Sequence, residues 1–297
     1  MRIFVTGATG FVGSAVVQEL ISAGHRVIGL TRSDAGAKAL SSLGAEVHRG
    51  DLEDLDSLRG GAAQSDGVIH TAFNHDFSKF ADNCALDKRA IETIGGVLEG
   101  SDRPLLVTSG VALLAPGRTA TEQTAHPPTT AQYPRTSEAS ATALAARGIR
   151  ASTVRLAPSV HGEGDHGFVP GLITVARAKG VSAYVEDGHN RWPALHRLDA
   201  ARLYRLAIES GAMGANWHGV ADEGVPTREI AEVIVKRLNL PVVSVPREEA
   251  MGHFGFLGAF FGLDCPASSA WTQDQLGWRP TQTGLIADLD QPHYFEG

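Results

Sequence analysis

The sequence predicts an α/β fold: a doubly wound parallel sheet with a smaller C-terminal lobe. Three observations predict it. An apolar N-terminal run, residues 3–6, passes straight into the glycine-rich turn "GATGFVG" (7–13) and then into a helical pattern. Short apolar strands then alternate with helical patterns as far as Arg155. Beyond Arg155 the alternation stops, and Gly- and His-rich stretches with short helices take over.

In order, residues 3–6 read as a strand and 12–20 as a helix. A strand at 27–30 is followed by a helix at 35–43 and a short strand at 46–49. A fourth strand at 68–71 leads into a long helical pattern at 77–98. A fifth at 105–109 is followed by the loop 114–134, rich in Pro, Thr and Ala, which reads as a lid or binding loop. A helix at 136–147 precedes a sixth strand at 151–155. Strands separated by helices imply right-handed crossovers, hence parallel pairing. The division expected is a dinucleotide-binding domain at 1–156 and a lobe at 157–297 that is mainly for substrate, some of whose segments return to the first domain. In the lobe, helices are expected at 169–179, 200–209 and 227–238, with a strand in "PVVSVP". The aromatic stretch "HFGFLGAFFGLD" (253–264) reads as a helix apolar on all sides, buried or capping an apolar pocket.

With 297 residues, 43% of them hydrophobic, the chain can bury one large core or a core and a smaller one. A net charge of −7 argues against nucleic acid or an anionic membrane as the main partner. No apolar run reaches the length of a membrane span. The first strand begins at residue 2, which leaves no room for a signal peptide, so a cytoplasmic location is expected. Cys84 and Cys265 have no metal-type or redox-type neighbours and read as buried free thiols.

The glycine turn carries the first functional reading. Thr6 ends the strand and Phe11 starts the helix. Gly7 permits the tight turn, Gly10 lets a ligand approach the backbone, and Gly13 lets helix and strand pack closely. The free N–H groups of the helix start then face a pyrophosphate, with Thr9 and Val12 completing the loop. The competing reading is a tight turn with no ligand. An acid closing the second strand would hold the ribose 2′-hydroxyl of NAD. In "GLTRSD" that place falls to Thr31 or Arg32; a guanidinium suits a phosphate, and Ser33 adds a hydrogen bond. NADP(H) is therefore expected over NAD(H). The competing reading makes Arg32 a solvated charge and gives Asp34 to NAD.

These residues resemble the TGxxGxxG loop of the short-chain dehydrogenase/reductases. Further motifs resemble the extended branch, the NAD-dependent epimerase/dehydratase family, over nearly the whole chain: "GDLED" (50–54), "VIHTAF" (68–73), "VTSG" (107–110), "VRLAPSVHGEGD" (154–165), "HRLDAA" (196–201) and "LGWRPT" (276–281). The resemblance implies a Rossmann-type sheet. It places Asp51, with Leu52, at the adenine. It sets Thr71, Ala72, Phe73, Thr108, Leu156, Ala157, Pro158 and Val160 along the cofactor. It implies a Tyr acid–base, a Lys four residues on, and a Ser or Thr on strand five. Tyr133 is so placed, but Ser137 stands where the Lys is expected, and no Lys occurs between Lys88 and Lys179. Ser109 lies on strand five, one place before the usual position, which is Gly110. Asn83 falls in the helix where the family holds a relay water; the alternative is an ordinary polar helix residue. Arg135, read as helical, faces away from Tyr133.

A Tyr without its Lys stays protonated at neutral pH, so it gives a proton readily and is a poor base. Reduction is thus favoured over oxidation, if Tyr133 is not simply a loop cap. His161 falls at the family's V-Y-G tyrosine, beside the nicotinamide. His166, Phe168, Tyr184, Arg191 and Trp192 are candidates for the substrate wall; core packing is the competing reading for Phe168 and Trp192. No metal is expected: the His-rich stretches have no H-x-x-x-H or C-x-x-C. The reading is an NADP-dependent reductase of a small, largely apolar carbonyl or imine. Its alternatives are a sugar-nucleotide epimerase or dehydratase, and a non-catalytic NADP-binding redox sensor. A homodimer through the two long helices is implied by the resemblance.

Overall fold

The computed structural model describes residues 1–131 and 133–296. β1 (Arg2–Thr6), β2 (Arg26–Thr31), β3 (Glu46–Arg49), β4 (Gly67–His70), β5 (Leu105–Gly110) and β6 (Ala151–Leu156) form one parallel sheet. Their apolar runs are buried on both faces, as a parallel sheet under two helical layers requires; only β3, at the edge, is largely exposed. The pleat sorts β1 between the layers. Ile3 and Val5 join Val16 and Leu20 of α1 (Phe11–Ser22), whereas Phe4 joins Leu58 and Ile91 on the other side. That second layer is α3 (Leu55–Ala63), α4 (Phe80–Leu98) and α5 (Ser137–Ala146); α2 (Asp34–Ser42) follows β2. With a seventh strand, β10 (Asn216–Gly219), the order is β10-β6-β5-β4-β1-β2-β3, so it reverses between β1 and β4 and leaves a crevice at their carboxyl ends. Thr6 pairs with His70 at that point.

The smaller lobe has a three-stranded sheet of β7 (Ser159–His161), β9 (Arg191–His196) and β11 (Asp222–Pro226), and a pair of β8 (Ser182–Val185) with β12 (Val242–Val245). Its core gathers Leu172 and Ile173 of α6 (Phe168–Lys179), Ile230 and Ile234 of α8 (Thr227–Leu238), Trp192, Phe254, Phe261 and Leu285. The chain returns to the first core twice. α7 (Arg197–Ser210) packs beside α1, and β10 (Asn216–Gly219) adds a seventh strand beside β6. α11 (Ala270–Leu276) then brings Trp271 against the same core, and Trp278 just past its end joins it.

Three local readings are revised. The helical pattern at 77–98 begins as a 3-10 turn, Phe77–Lys79, capped by Asp76, before α4 starts. The stretch 253–264 is not one helix. Gly255, at φ +59°, splits it into α9 (Ala250–Phe254), a short turn and α10 (Gly258–Phe261); α12 (Leu285–Leu289) follows near the C-terminus. α5 begins at Ser137, so residues 133–136 precede the helix. The loop 114–134 is anchored: Gly117 and Ala120 donate to the carbonyls of Asp264 and Pro266, and buried Arg155 donates to the carbonyls of Glu122 and Thr124. Among the described residues no helix is long and apolar enough to cross a membrane.

Candidate active site

The glycine turn lies at the crevice. Gly7 has φ +68°, and a Cβ there would lie 2.6 Å from Thr71 Oγ1. A Cβ on Gly13 would stand 2.0 Å from the Gly7 carbonyl oxygen, so α1 sits directly on the turn. Gly10 is exposed, and among the described residues no side chain caps α1. The first N–H groups of α1 therefore point to a bare concave backbone, which fits a dinucleotide pyrophosphate. Thr9 is exposed on the turn, and Val12 packs inward against the first core. From the other lobe, His166 approaches Phe11 edge-on at 5.8 Å, and the guanidinium of Arg197, at the start of α7, covers the Phe11 ring at 4.8 Å.

At the end of β2, buried Thr31 accepts from Ser33 N at 3.4 Å, and Ser33 Oγ caps α2 through Gly36 N at 3.0 Å. Asp34 is ion-paired to Arg49, while Arg32 stands exposed and has no carboxylate partner among the described residues. Asp51 uses Oδ1 on the N–H groups of Glu53 and Asp54, at 2.8 and 3.1 Å. Leu52 packs against the α3–α4 layer.

Below the turn runs a buried chain of hydrogen bonds. Thr71 Oγ1 donates to the Thr6 carbonyl at 2.8 Å, and Ala72 N donates to Thr6 Oγ1 at 3.4 Å. Thr6 Oγ1 meets His70 Nδ1 at 2.9 Å, and His70 Nε2 meets Asp87 Oδ1 at 3.0 Å. Ser137 Oγ donates to Asp87 Oδ2 at 2.5 Å and accepts from Arg135 Nε at 3.0 Å. Arg135 Nη2 donates to the Thr108 carbonyl at 3.3 Å, and its guanidinium lies 4.5 Å above the Phe73 ring. Burial works to raise the Asp87 carboxyl. The His70 hydrogen bond, the nearby cations and Ser137 outweigh it, and Asp87 sits below the usual carboxylate range. Arg135 thus points into the site. Its expected outward orientation assumed a helix that has not yet begun at that residue.

Tyr133 is held by reciprocal backbone bonds with Thr130, and its ring tilts against His126 at 5.7 Å. Burial pushes its phenol above the ordinary value, with Arg135 pulling the other way. Thr108 Oγ1 donates to the His70 carbonyl and meets Tyr204 of α7 at 2.7 Å. Strand alternation turns Ser109 the opposite way, toward the layer of α4 and α5 that Val107 also faces. Ser109 Oγ is buried and has no hydrogen-bond partner in the described structure. Asn83 spends Nδ2 on the Asp76 carbonyl at 2.8 Å, fixing the turn before α4. At the end of β6, Leu156 accepts from Val111 N, buried Ala157 donates to Gly219, and Pro158 and Val160 are partly exposed beyond them.

The remaining candidates divide. His161 is fully buried and bonded through Nδ1 to Asp288 Oδ2 at 2.8 Å. Phe168 is half-buried between Trp192 and Phe260, at 5.0 and 6.1 Å. Trp192 sits in the lobe core and donates to the Leu263 carbonyl at 3.2 Å. Arg191 is engaged by Asp264 with bonds of 3.0 and 2.9 Å. Tyr184 on β8 lies under Arg228 at 5.3 Å. Sequence reasoning missed an aromatic bridge between the lobes. Phe77, next to Phe80 and His75, stacks on Phe256 at 4.2 Å, and Phe256 continues to Phe260. Burial pushes the Cys84 thiol up to about 11 and Cys265 to about 12, which leaves both inert as nucleophiles.

A model of the NAD dependent epimerase/dehydratase family matches residues 3–218. An uncharacterized protein of Schizosaccharomyces pombe is 52% identical over 99% of this chain and 100% of its own. The 2-alkyl-3-oxoalkanoate reductase of Stenotrophomonas maltophilia is 28% identical over 99% of this chain and 91% of its own. A double mutant of DesIV, a dTDP-glucose 4,6-dehydratase from Streptomyces venezuelae with NAD and DAU bound, superposes with a TM-score of 0.78. It is 19% identical and covers 99% of this chain and 96% of that chain, a likeness of fold.

Proposed function

The chain belongs to the NAD dependent epimerase/dehydratase family, and on that premise we propose that it is an NADP-dependent reductase of a small, largely apolar carbonyl or imine. One observation carries the direction of the reaction. The residue four places after Tyr133 is Ser137, committed to Asp87, and burial keeps the Tyr133 phenol protonated. A protonated phenol donates to a developing alkoxide or amide nitrogen; it does not take a proton from an alcohol.

When bound, the dinucleotide supplies a hydride to the substrate carbon. The chain's own groups do the rest. Tyr133 gives the proton to the substrate oxygen or nitrogen. Ser109 Oγ, buried without a partner on the α4–α5 side of β5, is the orienting hydroxyl only if it turns toward that atom when substrate binds. The backbone of residues 7–13 and the start of α1 hold the pyrophosphate. Arg32 and Ser33 receive a 2′-phosphate; Asp34, paired with Arg49, is not left to select a free ribose hydroxyl. Phe73, Phe77, Phe256 and Phe168 suit an apolar substrate body, and Arg191 is already engaged by Asp264. The named activity of the Stenotrophomonas relative, a ketone reduction, supports the same direction. By the family resemblance, two copies pair through α4 and α5, which light scattering tests.

The test is NADPH consumption across ketones, aldehydes and cyclic imines, with Tyr133→Phe beside the native chain. We expect turnover on at least one class, falling about 10²–10⁴-fold in the variant. Arg32→Ala weakens NADPH binding about tenfold and leaves NADH binding unchanged. Turnover of a sugar nucleotide without net NADPH consumption would overturn the reading.

A further inference from the structure

Arg197 stands where a lone cation is electrostatically out of place. It is the first residue of α7, after the His196 cap, and its guanidinium covers the ring of Phe11, the first residue of α1. Helical side chains lean back toward the N-terminus of their helix, so a group over the Phe11 ring lies at the end of α1 where the N–H groups are open. The guanidinium therefore adds a full positive charge where the positive ends of two helices already lie. No acid stands in the first turn of α1. The acid in the first turn of α7, Asp199, is buried and spends its carboxylate on the N–H groups of Thr281 and Gln282. Arg197 makes one hydrogen bond among the described residues, from Nη1 to the Glu163 carbonyl at 2.9 Å, and pairs with no carboxylate there. Asp165, two residues beyond Glu163, turns Oδ1 to Gly167 N at 2.7 Å. Gly162 leaves the room that the arginine stem occupies: it has φ +133°, and a Cβ there would stand 3.1 Å from Arg197 Cγ.

We propose that Arg197 is a clamp, supplied by the smaller lobe, on the pyrophosphate of the dinucleotide. The glycine turn and the start of α1 offer backbone N–H groups from the first domain; Arg197 offers a side-chain cation from the second. Its Nε and Nη2 have no partner among the described residues and are the donors left for phosphate oxygens. The paired negative charges of a pyrophosphate balance what the protein leaves unbalanced at this point. An arginine suits the place better than a lysine, because its planar group lies on an aromatic face, holds a carbonyl and keeps further N–H groups for an anion. The cofactor is thereby gripped by both lobes at once. This inference rests on a dinucleotide lying in the glycine turn. It does not rest on the direction of the reaction, nor on a 2′-phosphate, because the pyrophosphate is common to NAD and NADP.

The test reads binding and needs no substrate. Calorimetry gives the dissociation constants of NADPH and NADH for the native chain, Arg197→Gln and Arg32→Ala, each at low and at high salt. Arg197→Gln keeps hydrogen-bond donors and removes the charge. It should weaken NADPH and NADH alike, about tenfold at low salt, and flatten the salt dependence of both. Arg197→Met, which keeps the stem against Phe11, takes its place if the Gln variant does not fold. Unchanged affinity for both dinucleotides overturns the proposal. So does weaker binding with the native salt dependence, which marks a disturbed fold and not a lost charge, and so does a native chain that binds neither dinucleotide. Weaker binding of both in Arg197→Gln, beside an Arg32→Ala variant that binds NADPH as the native chain does, upholds the clamp and removes the NADP reading. An Arg32→Ala loss confined to NADPH, beside an unchanged Arg197→Gln, removes the clamp and keeps the NADP reading.

Discussion

Two buried histidine–carboxylate pairs stand in the two halves of the molecule, built from the same parts. His70 ends β4 and meets Asp87 of α4; His161 ends β7 and meets Asp288 of α12. Each carboxylate also accepts a hydroxyl, from Ser137 and from Tyr294 at 3.0 Å. The surroundings differ. Both His70 nitrogens are engaged, and the next charge along is the Arg135 cation. His161 Nε2 is buried with no partner in the described structure, and the neighbouring acid is Asp165. The first pair is a closed circuit with balanced charge. The second is a donor short and faces a like charge. Burying a histidine beside an aspartate does not by itself make a strong strut; the outer partners decide.

The largest expected effect breaks the first pair. Asp87→Ala strands His70 and removes the counter-charge of Arg135. It should cost about 3–5 kcal/mol in denaturant unfolding and abolish turnover. Asp288→Ala should cost less, about 1–3 kcal/mol, because its partner is already incompletely bonded. Equal costs would dissolve the contrast.

The next effect is one of sign. The Asp87 carboxyl is lowered in the folded chain, so its stabilisation is present above the unfolded value near 3.9 and is lost as pH falls through the folded one. Burial pushes Asp165 up to about 6. The folded chain therefore binds the extra proton between the unfolded value and 6, and stability falls as pH rises through that window. Asp165→Asn should thus leave stability at pH 4 nearly unchanged and raise it by about 1–2 kcal/mol at pH 7. The cost of Asp87→Asn should instead be full at pH 7 and shrink toward pH 3. Unfolding curves across that range check both.

The smallest effect separates struts from the cofactor. Thr6→Val removes the hydroxyl between His70 and Ala72 N and should cost about 1–2 kcal/mol, with weaker NADPH binding. Tyr294→Phe removes a hydroxyl from Asp288 and Gly162 N at a similar cost of about 1 kcal/mol, with cofactor affinity unchanged.

How far the sequence could be read follows from how local each feature is. The six strands β1–β6 and the glycine turn are contiguous signals, an apolar run and a spacing, and they read correctly. β10 is four residues, "NWHG", and exists only through its pairing with β6. α3 was missed because Gly60 and Gly61 depress helix propensity; Gly61 is there because the Phe4 ring leaves no room, 2.3 Å from a Cβ. β9 carries Pro193 in mid-strand, which argues against a strand when read alone. The circuit of Thr6, His70, Asp87, Ser137 and Arg135 comes from β1, β4, α4 and the approach to α5, so no single window contains it. For Arg135 a local signal did exist. Pro134 disfavours helix at Tyr133, and helical spacing should not have been carried across it.

The route of the chain between the two cores sets how the protein comes apart. After Ala157 it passes into the lobe before Val169, returns at Ala194–Leu195, leaves between Val220 and Val225, comes back between Cys265 and Ala267, and leaves again between Trp278 and Leu285. No single protease nick can release either half. A gene fragment ending at residue 156 would lack α7 and β10, bare the edge of β6 and expose the face of α1 that α7 covers. Such a fragment should aggregate rather than bind a nucleotide, and the natural unit of this enzyme for fusion, tagging or permutation is the whole chain.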